Sequence, residues 1–137
     1  MTSTLVDSNI LLDILGEKTA LHEWSADRLS ELRANGRLCI NQVVYAELTP
    51  SLSRETAQHV LASMQITREV LSFEAAWRAG TAHAAYRRAG GARERTLPDF
   101  LIGAHAAVSD YTLLTRDAAR YRTYFPELNI VSPETHP

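Results

Sequence analysis

The chain has 137 residues, 45% of them hydrophobic, which suffices for one sizeable core and predicts a single domain over residues 1–137. One cysteine, Cys39, excludes an internal disulfide or a CxxC-type zinc site and points to a reducing, cytoplasmic setting. No window approaches the roughly 18 apolar residues of a membrane span, and no basic segment leading into a long apolar run opens the chain, so a soluble, unprocessed protein without membrane association is expected. The net charge of −2 hides an asymmetry: residues 78–122 hold eight arginines against four acids, +4, and the remainder is −6.

In chain order, Leu5 and Val6 read as a short buried strand and Ser8 to Leu15 as a helix. Leu21, Trp24, Ala26, Leu29 and Leu32 recur at helical spacing, and Asn35-Gly36 supplies a stop. Arg37 to Asn41 is a second strand candidate. Gln42 to Leu48 reads as a helix, which Pro50 breaks and Ser53 restarts as Arg54 to Met64. Ile66 to Leu71 is an ambiguous strand. Phe73 to Arg88 is a helix, RRAGGARER (87–95) a polar loop, and Leu97 to Ser109 an apolar helix with proline near its start. A strand at 112–115, a short helix from Asp117 to about Tyr124 and a strand at 128–131 complete the chain.

Strands alternate with helices and no hairpin dipeptide joins two strands. That pattern predicts an α/β sandwich around a mostly parallel sheet, with ligands beyond the carboxyl ends of the strands. Four acids lie at or near such ends: Asp7, Glu47, Asp99 and Asp117. Each of three has a structural alternative, since Asp7 and Asp117 could cap helices and Thr96-Leu-Pro-Asp99 fits a capping pattern. Glu47, in VVYAEL, reads as an acid in a largely buried helix. Four gathered carboxylates would repel one another, so a cluster calls for a divalent cation, and oxygen-only ligands suit Mg²⁺ or Mn²⁺. The matching chemistry is hydrolytic displacement at phosphorus.

LVDSNILLDIL, VVYAEL, LPDFLIGAHA and LLTRDAARYRTYFPEL together resemble the PIN-domain ribonucleases, in particular the VapC-type toxins of toxin–antitoxin pairs, over nearly the whole chain. The resemblance implies a three-layer α/β/α sandwich with about five strands and a Mg²⁺- or Mn²⁺-dependent endoribonuclease. It places the metal-binding and catalytic acids on Asp7, Glu47, Asp99 and Asp117, and substrate-orienting or supporting roles on Asn9 and Thr115. It further implies a cognate VapB-type antitoxin, a homodimer, and an RNA substrate such as a transfer RNA. Arg87, Arg88, Arg93, Arg95 and Arg116 flank the acids in sequence and are candidates for the RNA backbone. Asp13 lies outside the motif and reads as an ordinary helix residue.

A haloacid-dehalogenase-like phosphotransferase or a receiver domain would need a second acid at position 9, which is Asn9, or a late lysine, and the only lysine is Lys18. The five histidines show no HExxH spacing, and neither a Walker loop nor GxSxG is present. The rival from another class is a PIN-like module that binds RNA or protein and has no turnover.

Overall fold

The computed structural model describes residues 2–16, 20–91 and 94–137. Its elements run β1 (Thr4–Val6), α1 (Ser8–Leu15), α2 (Ala20–Asn35), β2 (Leu38–Ile40), α3 (Gln42–Glu47), α4 (Arg54–Ser63), β3 (Ile66–Arg68), α5 (Phe73–Arg88), α6 (Leu97–Ser109), β4 (Thr112–Leu114), α7 (Ala119–Arg122) and β5 (Ile130–Val131). The five strands form one sheet in the order β3-β2-β1-β4-β5, and every pairing is parallel.

All three residues of β1, β2 and β4 are buried. Because successive side chains of a strand point to opposite faces, this means helices cover the sheet on both sides, as a parallel sheet requires. The strands can be short because apolar residues fill both faces: Leu5, Val6, Cys39, Ile40, Leu113 and Leu114 are each fully enclosed. Burial also pushes the Cys39 thiol up to about 12, which keeps it an apolar filler.

From β1 the chain builds outward to β2 and β3, then returns to the other side of β1 to lay down β4 and β5. The reversal falls between β1 and β4, whose register pairs Val6 with Leu114. A crevice opens beyond the carboxyl ends of strands at such a switch point. Asp7 follows β1 there, and Thr115 to Asp117 follow β4.

The stop expected at Asn35-Gly36 is refined. Gly36 ends α2 without a left-handed φ; a Cβ there would lie 2.0 Å from the Thr2 carbonyl oxygen, so the close passage of the N-terminal segment requires the glycine. Gly90, by contrast, takes φ 79° after α5, the conformation that glycine supplies without strain.

A polar clamp ties β2, β3 and α6 together away from this crevice. Asn41 accepts from the Val44 amide at 3.0 Å, which turns its side-chain N–H towards His105 Nδ1 at 3.1 Å. Nε2 of the buried His105 then donates to Glu69 at 2.8 Å, and Arg37 and Tyr111 donate to the other Glu69 oxygen, each at 2.8 Å. Partial burial opposes the Glu69 charge, but these three donors hold its carboxyl below the usual range.

Candidate active site

Asp7 is the most enclosed of the four acids, with 3% of its surface exposed. One carboxylate oxygen accepts from the Ser8 amide at 2.8 Å, which makes Asp7 the N-cap of α1. The other accepts from the Thr115 hydroxyl at 2.8 Å and the Tyr121 phenol at 2.7 Å. The capping reading is therefore true, but it accounts for one oxygen only. Burial pushes the Asp7 carboxyl above its ordinary value; the three donors oppose that shift, and the Asp99 charge adds to it.

Ser8 links the first acid to the second, since its hydroxyl donates to Glu47 at 3.0 Å and lies 3.5 Å from Asp7. Glu47 departs from the sequence expectation of a buried mid-helix acid. It is the last residue of α3 and exposed as a whole, because the helix expected to run to Leu48 ends at the glutamate itself. Its carboxyl nevertheless leans on Ser8. Partial burial raises its pKa, the Ser8 hydrogen bond opposes this, and repulsion from Asp7 and Asp99 adds to it.

The third and fourth acids meet across a cation. Arg120 Nε donates to Asp117 at 2.9 Å, and Arg120 Nη1 lies 3.5 Å from Asp99. Desolvation works against the guanidinium charge, but the fields of Asp99 and Asp117 outweigh it and hold its pKa above the usual value. Asp99 also accepts from the Thr96 amide at 3.1 Å, so the acid half of the expected capping box exists alongside the ion pair.

Asn9 and Thr115 lie between these groups. The Thr115 hydroxyl donates to Asp7 while accepting from the Asp117 amide at 3.1 Å, which ties the loop after β4 to the acid after β1. Asn9 accepts from the Arg116 amide at 3.1 Å and contacts Thr115 at 3.4 Å. Asp13 takes a local polar role, bonded to Ser25 at 3.2 Å and to the Arg116 guanidinium at 2.7 Å.

The donors are hard oxygens, which fit Mg²⁺ or Mn²⁺ by chemistry. They are arranged as two pairs, Asp7 with Glu47 across a hydroxyl and Asp99 with Asp117 across a guanidinium. Among the described residues, no three acids or histidines close into one metal-holding group. Arg120 supplies the positive charge that the sequence reading assigned to a metal alone.

The candidate arginines divide. Arg87 and Arg95 line a cavity of about 560 Å³ with His83, Tyr86 and Thr96, and Arg95 stacks over the Tyr86 ring at 5.7 Å. This cavity adjoins the N-terminus of the Asp99 helix. Arg116 is engaged by Asp13, Arg88 lines a different groove on α5, and Arg93 lies outside the described residues. Sequence reasoning missed Ser8, Arg120 and Tyr121 as partners of the acids. The spacing of Asp117 and Arg120, three apart, is a helical ion-pair signal. No local pattern signals the Tyr121 bond, which spans 114 positions.

No curated protein matches the chain by sequence. Solved structures resemble it in fold. VapBC2 from Rickettsia felis bound to a DNA fragment from its promoter aligns with a TM-score of 0.73 at 20% identity, covering 95% of this chain and 98% of that one. VapBC-1 from nontypeable Haemophilus influenzae gives 0.73 at 19% identity, with 95% and 97% covered. A toxin–antitoxin complex from Klebsiella pneumoniae gives 0.66 at 20% identity, with 95% and 97% covered. The PIN domain family model matches residues 4–126. With its parallel sheet in the order β3-β2-β1-β4-β5 and acids at the switch point, this chain belongs to the PIN domain family.

Proposed function

We propose that the chain is a VapC-like toxin, a Mg²⁺- or Mn²⁺-dependent endoribonuclease neutralised by a cognate VapB-type antitoxin. The observation that carries this reading is the gathering of Asp7 and Asp117, which follow β1 and β4, with Glu47 and Asp99 through Ser8 and Arg120, and burial and repulsion raise the pKa values of Asp7 and Glu47. An arrangement that raises the cost of its own charges suits a site that receives a cation. Asp7, Asp99, Asp117 and Glu47 would hold that cation. When bound, it supplies Lewis-acid polarisation of a phosphodiester and neutralises developing charge.

The chain's own residues do the rest. Thr115, Tyr121 and Ser8 fix the orientation of Asp7, and Asn9 steadies the loop that carries Arg116 and Asp117. Glu47, with its raised pKa and open side, suits the task of accepting a proton from an attacking water. Arg87 and Arg95, with Tyr86, offer an electropositive, aromatic cavity beside the Asp99 helix that suits a flanking nucleotide of single-stranded RNA, such as a transfer-RNA loop.

The named toxin–antitoxin relative supports an antitoxin partner for this chain. A cavity of about 240 Å³ bounded by Tyr45, Leu48, Leu52 and Ala57 is a candidate seat for it, and among the described residues the buried Tyr45 hydroxyl there has no hydrogen-bond partner. Leu48 itself is a core residue, 2% exposed, and Trp24 is tied to the His136 carbonyl at 2.7 Å. Two copies of the chain are expected to pair.

The second reading, a PIN module that binds RNA or protein without turnover, is favoured by one observation: Arg120 bridges Asp99 and Asp117. Induced expression in bacteria separates the two. The nuclease reading expects growth arrest by wild type and none by equally abundant Asp7→Asn or Asp99→Asn. Equal growth of all three strains moves the assignment to the binding module.

A further inference from the structure

Among the described residues, Arg120 alone forms an ion pair with any of the four acids. Other arginines are committed elsewhere: Arg116 faces Asp13, Arg122 faces Glu134 and Arg78 faces Glu127. The next residue, Tyr121, is fully buried and its phenol bonds Asp7 at 2.7 Å, which fixes the backbone of α7 beside the acids. The Arg120 side chain, by contrast, is 45% exposed. Its contacts with Asp117 at 2.9 Å and Asp99 at 3.5 Å are ion pairs at the edge of solvent, which are weak and exchange readily. The anchor of this arginine is therefore rigid and its guanidinium is free to change partner.

The charge of the site gives it a reason to do so. When ionised, the four carboxylates exceed the charge of one divalent cation by two, and a phosphodiester brings a further negative charge. An RNA strand would meet repulsion there unless a positive side chain stood at the point of contact. A guanidinium carries five N–H donors in a fork that matches phosphate, so it can hold an anion beyond the two carboxylates it faces. Coordination of Asp99 and Asp117 would neutralise the two charges that hold the fork. The guanidinium then stays tethered beside them, and the nearest uncompensated anion is the phosphate.

We propose that Arg120 binds the substrate phosphate: it rests on Asp99 and Asp117 before cation and RNA arrive, and turns to a non-bridging oxygen of the phosphodiester once they are in place. This inference rests on the nuclease reading for the cation and the RNA. It makes the bridge between Asp99 and Asp117 a resting state of the site. No covalent bond changes at Arg120, which exchanges carboxylate hydrogen bonds for phosphate ones.

Two titrations of the purified full chain, free of antitoxin, test it: calorimetry with Mn²⁺, and anisotropy with a labelled, mixed-sequence pool of single-stranded oligoribonucleotides. Ca²⁺, which takes oxygen ligands in a looser geometry, replaces Mg²⁺ in the RNA titrations, and a gel checks that the strands stay intact. Arg120→Gln should keep the wild-type circular dichroism and bind Mn²⁺ more tightly. Its RNA affinity should fall at least about tenfold in Ca²⁺, the loss of a charge-assisted contact, and at most about twofold in EDTA, where the wild-type guanidinium is still held by the acids. Arg120→Lys, which keeps the charge without the fork, should recover part of the loss in Ca²⁺. Equal loss in Ca²⁺ and EDTA would reduce Arg120 to a distant charge and overturn the proposal. Unchanged RNA affinity in Ca²⁺ would also overturn it, leaving Arg120 a competitor for the acids. Weaker Mn²⁺ binding by Arg120→Gln would overturn the resting station. Cleavage in Mg²⁺ is scored separately: a wild type that cuts nothing while the cation-dependent loss persists would remove turnover and support the phosphate contact.

Discussion

Replacing Tyr121 by phenylalanine removes one oxygen from a fully buried ring and leaves Asp7 without its 2.7 Å phenol donor. Volume is conserved, so no cavity term arises. A hydrogen bond to a charged group contributes about 1.5–3 kcal/mol, and for a chain of this length each kcal/mol moves Tm by about 3–5 °C, so Tyr121→Phe should melt about 5–15 °C lower in EDTA at neutral pH. In an Asp7→Asn background the acceptor is neutral, and the same substitution should cost only about 0.5–1.5 kcal/mol. The difference between the two costs is the coupling of phenol and carboxylate.

The pH dependence follows from sign. Burial raises Asp7 above its unfolded value, so its ionisation costs stability. That cost is absent below the unfolded pKa, grows as pH rises towards the folded pKa, and is complete above it. Wild type minus Asp7→Asn, measured by urea denaturation across this window, should therefore become less favourable to wild type as pH rises. A Tyr121→Phe cost below about 0.5 kcal/mol, or an equal cost in both backgrounds, would refute the view that the phenol serves the carboxylate.

Glu69→Gln should destabilise by about 1–3 kcal/mol at pH 7, because the group loses a charged acceptor shared by Arg37, Tyr111 and His105. Glu69 has a depressed folded pKa, so its contribution is present above the unfolded value and disappears as pH falls through the folded one; a denaturation series that shows equal loss at pH 2 and pH 7 would contradict this. Arg120→Gln should bind Mn²⁺ about two- to tenfold more tightly by calorimetry, since two partly exposed ion pairs no longer compete; unchanged or weaker binding would show that Arg120 does not compete for the acids. In the Asp7→Asn background, Arg87→Ala and Arg95→Ala should each lower the slope of log affinity for single-stranded RNA against log salt by about 0.7, and an unchanged slope would remove that residue from the RNA path.

The fold was legible because its signals are local and repeated. Apolar runs of strand length alternate with helical spacing, and proline at the start of α6 marked that helix to its first residue. Boundaries slipped at 66–71, where only Ile66–Arg68 pairs, as an edge strand with Ile66 alone buried. Asp7 and Asp117 were legible by their placement after strands, and the set of four candidate acids by resemblance. What escaped was how they are satisfied. Arg120 looked like one more surface arginine, and Tyr121 reaches Asp7 across 114 positions, which no local pattern records. Glu47 was misjudged because its apolar neighbours Val44 and Leu48 are buried while the helix ends at the glutamate itself.

The central claim is that these acids form a phosphodiester-cleaving centre. Its most direct test is incubation of total small RNA with the purified, antitoxin-free chain in Mg²⁺ or Mn²⁺, beside EDTA and Asp7→Asn controls. Discrete fragments that vanish in both controls are the expected result. A folded, cation-supplied wild type that leaves every RNA intact, or fragments that persist with Asp7→Asn, would contradict it.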